Sequence, residues 1–81
     1  MKANITVTLK PGVLDPQGEA VRHALESMDG GDVKSVRIGK LIEIEISESG
    51  PDAAMAALEN MCGKLLANPV IENYHIELLD G

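Results

Sequence analysis

Apolar and polar residues alternate from Ala3 to Leu9, with Ala3, Ile5, Val7 and Leu9 on one face and Asn4, Thr6 and Thr8 on the other. Period two with β-branched residues predicts a half-buried strand. Lys10-Pro11-Gly12 ends it, because proline brings no N–H to a ladder and glycine opens a turn. The period then changes. Asp15-Pro16 reads as an N-cap followed by proline at the first helical position. Ala20, Val21, Ala24, Leu25 and Met28 fall on one stripe at helical spacing, while Gln17, Glu19, Arg22, His23 and Glu26 face away. Gly18 near the start weakens this helix slightly. Asp29-Gly30-Gly31-Asp32 stops it, with Gly30 suited to the position past the last turn.

From Val33 to Ser47 period two returns, with Val36, Ile38, Ile42, Ile44 and Ile46 on one face and Arg37, Glu43 and Glu45 on the other. The stretch is either a hairpin turning at Gly39-Lys40 or a single long strand. A two-residue turn at 39–40 sets Val36 opposite Glu43 and pulls the apolar face out of step. Read straight through, the alternation is interrupted only by Lys40 in an inward phase and Leu41 in an outward one. One long strand, bent or twisted at Gly39, is the preferred reading. Fifteen strand residues span roughly 50 Å, whereas a fifteen-residue helix covers about 22 Å. Part of the strand is therefore expected to project and pair with another chain, since open strand edges are templates for pairing.

Ser49-Gly50-Pro51-Asp52 opens a second helix with a cap, an early proline and an acid in the first turn. Its stripe is Ala54, Met55, Leu58, Met61, Cys62, Leu65 and Leu66, and Asn68-Pro69 ends it, with Asn68 expected in the left-handed region. A last strand follows from Val70 to Leu79, with Tyr74, Ile76 and Leu78 inward and Asn73, His75 and Glu77 outward. The order strand, helix, long strand, helix, strand predicts an α+β two-layer sandwich. Two helices lie on one face of a small sheet, in a strand-mediated oligomer. The other face, with Thr6, Thr8, Arg37, Glu43, Glu45, Asn73, His75 and Glu77, is polar. No repeat, linker or low-complexity segment divides the 81 residues, which read as one domain over 1–81.

Composition adds three constraints. Thirteen Asp and Glu against seven Lys and Arg leave a net charge of −6, which repels phosphate backbones and argues against nucleic-acid binding. No apolar run approaches the roughly 20 residues of a membrane span, and no signal-peptide core is evident, so a cytoplasmic protein is expected. With no Phe or Trp and a single Tyr, aliphatic side chains must supply nearly all the burial. Small domains in that position gain buried area by association.

Candidate chemistry is sparse. Cys62 is the one thiol, but it falls on the apolar stripe late in the second helix and lacks an activating base, so it reads as a buried structural cysteine. His23 and His75 sit on outward faces without a second ligand at metal-binding spacing. Ile38-Gly39-Lys40 lacks the remaining residues of a phosphate loop. Glu43 and Glu45 at period two fit a polar sheet surface better than a metal pair. No catalytic, cofactor-binding or metal-binding residue is therefore assigned. The predicted contacts with other chains are Arg37, Gly39, Lys40, Leu41, Ile42 and Ile44.

Three blocks carry a family resemblance. Val7-Thr8-Leu9-Lys10-Pro11-Gly12-Val13-Leu14-Asp15-Pro16-Gln17-Gly18 resembles the opening of the PurS family, the small subunit of phosphoribosylformylglycinamidine synthase. Val36-Arg37-Ile38-Gly39-Lys40 and Cys62-Gly63-Lys64-Leu65-Leu66-Ala67-Asn68-Pro69-Val70-Ile71-Glu72 agree in order and spacing. Gly30-Gly31-Asp32 departs from the family, which usually has a bulky apolar residue after the first glycine. The resemblance implies a bridging subunit without chemistry of its own, in a complex with a glutaminase (PurQ) and a synthetase (PurL). That complex is an ATP-dependent carbon–nitrogen ligase of purine biosynthesis with glutamine as amide donor. The resemblance also implies that ATP and magnesium belong to PurL, the catalytic cysteine to PurQ, and that the small subunit forms dimers or tetramers. The residues leave two other readings: a regulatory α+β domain binding a metabolite at its dimer interface, and an acylphosphatase-like hydrolase. The second needs an arginine in an early anion loop, whereas Arg22 falls mid-helix.

Overall fold

The alternation of residues 3–9 builds the centre of the sheet. The computed structural model describes residues 1–28, 32–48 and 50–79. Its elements are β1 (Lys2–Leu9), α1 (Pro16–Glu26), β2 (Lys40–Glu45), α2 (Pro51–Met61), a π-helical turn (Cys62–Leu66) and β3 (Glu72–Leu79). β1 lies between β2 and β3 and is antiparallel to both. Its register places Ile5 between Ile42 and Ile76, and Ala3 between Ile44 and Leu78. Apolar rows thus cross all three strands on one face. The fold is the expected α+β arrangement of three strands and two helices.

Pro51 at the first helical position and Asp52 in the first turn start α2, as their positions predict. Gly50 occupies the cap without a side-chain bond, and the expected contribution of Ser49 lies outside the described residues. The expected stop of α1 at Asp29-Gly30-Gly31 also lies outside them, as do the family departure at Gly30-Gly31 and the last two residues of the 1–81 span. Ala54, Leu58 and Cys62 recur every four residues and are fully covered, Leu58 and Cys62 in one core cluster with Ala3, Ile5 and Val7. Each large side chain buried this way contributes about 1.5–3 kcal/mol. The core is nevertheless thin. Of its seven covered apolar residues, three are alanine.

Two helical expectations are corrected. Leu65, placed on the inward stripe of α2, is 84% exposed, while Leu66 packs on the core and Ala67 is buried. The cause is the π-helical turn, closed by the Ala67 N–H donating to the Cys62 carbonyl at 3.1 Å. Its extra residue per turn rotates the inward direction from position 65 to 66 and 67. Asn68 does not take left-handed geometry, for no non-glycine residue described has positive φ. Its Oδ1 instead accepts from the Val70 N–H at 3.1 Å, and its carbonyl accepts from the N–H groups of Ile71 and Glu72. That side-chain turn delays β3 to Glu72, two residues after its expected start.

The stretch 33–47 makes no hairpin. Residues 32–39 run without a turn or bend into β2, but ladder pairing begins only at Lys40 opposite Val7. The single strand expected over Val33–Ser47 is thus corrected to a six-residue strand preceded by an unpaired arm. Thr8 and Leu9 of β1 pair with Asn73 and Glu72 of β3 but carry no ladder to the arm, and past Leu9 the chain turns at Pro11. The molecule is correspondingly spread out. Its radius of gyration is 16.2 Å and its longest dimension 49 Å, whereas a compact chain of this length has a radius of about 12 Å.

Candidate assembly interface

The arm is held at its base by the loop that starts α1. Asp15 is the N-cap: one carboxylate oxygen accepts from the Gly18 N–H at 2.8 Å. The other oxygen accepts from the Ile38 N–H, also at 2.8 Å, across 23 residues of sequence. Asp15 is buried despite its charge, and these N–H donors, that of Ile38 first, hold its carboxyl below the usual aspartate range. The Arg37 guanidinium, beside it, adds in the same direction and donates to the carbonyls of Val13 at 3.0 Å and Lys10 at 3.2 Å.

Glycine permits the close packing here. A Cβ on Gly18 would stand 2.4 Å from the Val36 carbonyl oxygen, and one on Gly39 would stand 2.7 Å from that of Val7. Arm, loop and helix start therefore meet backbone to backbone. The cleft beneath them is floored by Val7, Leu9 and Ile38. At its rim the Lys40 Nζ lies 3.8 Å from the Glu72 Oε2.

Beyond Gly18, the apolar side chains of α1 are exposed. Gly18 is its one buried residue, and Val21, Leu25 and Met28 are exposed at 38%, 36% and 62%. The stripe stands where the spacing puts it, but among the described residues it is left exposed rather than packed into the core. On the helix's polar side Arg22 pairs with Glu19 and with Glu26, its Nη1 lying 2.6 Å from the Glu26 Oε1. Such pairs on one helix face stiffen it by tenths of a kcal/mol each. A helix with an exposed apolar stripe, beside an arm with no ladder partner, presents the kind of surface and open edge at which chains associate.

Cys62, by contrast, lies within the core, and burial pushes its thiol up, away from the thiolate a nucleophile needs. His23 and His75 are exposed on α1 and β3. Among the described residues no three His, Cys, Asp or Glu are grouped to hold a metal ion, and no helix is long and apolar enough to cross a membrane.

Residues 2–80 match the family model described as PurS, phosphoribosylformylglycinamidine (FGAM) synthase. The chain belongs to the PurS family. It is 52% identical over 77 residues to the phosphoribosylformylglycinamidine synthase subunit PurS of Bacillus subtilis, covering 95% of this chain and 90% of that one. A crystal structure of the B. subtilis PurS superposes with a TM-score of 0.84 at 49% identity, covering 98% of each chain. A chain in the structure of PurLQS from Thermotoga maritima superposes with a TM-score of 0.87 at 35% identity, covering 96% of this chain and 95% of that one.

Within this PurS fold the six predicted interface residues separate into two groups. Arg37 and Gly39 lie in the arm, and Lys40 opens the ladder where the arm ends. Leu41 is 60% exposed on the open sheet face, whereas Ile42 and Ile44 are half-buried against the chain's own core. Sequence reasoning missed the second bond of Asp15 and the close approach at Gly18. The one local signal was a glycine in the first turn of α1.

Proposed function

We propose that this chain is the non-catalytic bridging subunit of phosphoribosylformylglycinamidine synthase, standing between a PurL-type synthetase and a PurQ-type glutaminase in purine biosynthesis. The observation that carries this reading is membership of the family across residues 2–80. The uncovered arm and α1 stripe suggest a physical form for it: a part whose buried surface is completed by other chains. The chain self-associates as a dimer or tetramer, with Arg37, Gly39, Lys40, Leu41, Ile42 and Ile44 at or beside the contact. It works as one unit over 1–81 in the cytoplasm. ATP and magnesium are handled by the synthetase, and this chain holds no cofactor of its own.

The chemistry of the complex explains why such a part is needed. Ammonia released into water at neutral pH is protonated and ceases to be a nucleophile. It must therefore pass from glutaminase to synthetase by a closed, water-poor route. A subunit that fixes the two active sites in register contributes to the rate without making or breaking a bond. Reconstituting the two large subunits with and without this chain, and following glutamine-dependent synthesis, tests the proposal. A marked fall in rate without it is expected. An unchanged rate overturns the reading.

A further inference from the structure

We infer that Asp15 is a positioning residue for assembly: its carboxylate latches the arm 32–39 to the start of α1 and so sets where the arm stands. This rests on the proposal that the arm meets other chains. The geometry is that of a bridge. One oxygen takes the Gly18 N–H and the other the Ile38 N–H, each at 2.8 Å. On the other side of the junction the Arg37 guanidinium spans the Val13 and Lys10 carbonyls. The Val36 carbonyl stands so close to Gly18 that a Cβ there, 2.4 Å from its oxygen, would force the arm or the loop to shift. Nothing else ties the arm down by a ladder, since strand pairing begins at Lys40. Capping a helix needs one oxygen near its first N–H groups, and Ser, Thr or Asn serves as well. A carboxylate with both oxygens engaged does more than cap. It is acceptor-only, so it suits two N–H donors where an amide presents one acceptor and one repelling NH2.

Asp15→Asn and Asp15→Ser separate the two roles. Both keep a good cap, and the local Gly18 bond closes a far shorter loop than the Ile38 bond, so the distant tie is the one lost. The full chain is followed by amide hydrogen exchange at Ile38 and by sedimentation across a dilution series. Loss of a hydrogen bond to a charged acceptor is expected to speed Ile38 exchange by about tenfold or more and to weaken self-association by a similar factor, with helix content unchanged. Asp15→Ser serves if Asp15→Asn does not fold. Ile38 exchange that stays at the parent rate in both variants overturns the latch. Fast exchange with parent-like self-association overturns its part in assembly. If the parent chain is monomeric while its Ile38 amide responds to the substitution, the latch stands and the assembly reading fails.

Discussion

Gly18→Ala sets local and tertiary preferences against each other, and their magnitudes decide the outcome. Gly18 is the third residue of α1. By helix propensity alone, alanine there gains up to about 1 kcal/mol, less in a first turn than in an interior. The new Cβ, however, would lie 2.4 Å from the Val36 carbonyl oxygen and 2.6 Å from the Asp15 Oδ2. Real Cβ contacts essentially never fall under 3.0 Å, so something must move by at least 0.6 Å. Neither neighbour moves freely. One is backbone of the arm, and the other is a carboxylate held by N–H groups on two segments. Overpacking of this kind costs about 1–3 kcal/mol. The expected net effect is destabilisation by about 1 kcal/mol, which at a urea slope near 1 kcal/mol/M lowers the midpoint by roughly 1 M. Gly63→Ala is the matched control, since a Cβ at Gly63 meets nothing within 4 Å. Replacement there is expected to stabilise by about 0.4–1 kcal/mol. Both are measured by urea unfolding at one fixed protein concentration, because association shifts apparent stability. A Gly18→Ala midpoint at or above the parent's refutes the reasoning and returns α1 to a helix governed by propensity.

Three further outcomes are expected. The carboxyl of Asp15 titrates lower in the folded chain than in the unfolded one, so its contribution is present above the ordinary aspartate range and is lost as pH falls below about 4. Urea midpoints taken from pH 5 to pH 2.5 are expected to fall less steeply in Asp15→Asn, and identical slopes count against the bonds described. Leu25→Asp, on the uncovered stripe, is expected to change monomer stability by no more than about 0.5 kcal/mol while weakening self-association in sedimentation; a parent-like oligomer places the contact elsewhere. Cys62 is expected to resist iodoacetamide in the native chain and to react once urea unfolds it, and Cys62→Ala is expected to leave synthase activity of the reconstituted complex intact. Rapid native labelling, or loss of turnover with normal assembly, shows the thiol to be accessible or engaged.

Much of the architecture was legible because it is written in short-range periods. Ala3, Ile5 and Val7 share a face on any strand, and Ala54 and Leu58 share one on any helix. Asp15 before Pro16 marks a helix start by local geometry alone. Even the absence of a hairpin at 39–40 followed from register, since a turn there carries Glu43 to the wrong face. What period cannot encode is what covers a face, or which distant group completes a bond. Leu65 and Leu66 both fall within the apolar stripe of an ideal α-helix, and only the π-helical bond from Ala67 to Cys62 turned Leu65 out while Leu66 stayed on the core. Gly18 looked like a weak point in a helix until the Val36 carbonyl was found against it. Asp15 looked like a cap until the Ile38 N–H arrived from 23 residues away. The stripe on α1 was correct as a pattern, yet Val21, Leu25 and Met28 stay exposed among the described residues. Local preference is a property of neighbouring residues, so sequence alone determined the order of helices and strands and the inward faces of β1 and the start of α2, but not where β2 begins or which way Leu65 turns. The latch and the exposed surface depend on segments far apart in the chain, and tertiary structure alone decided them.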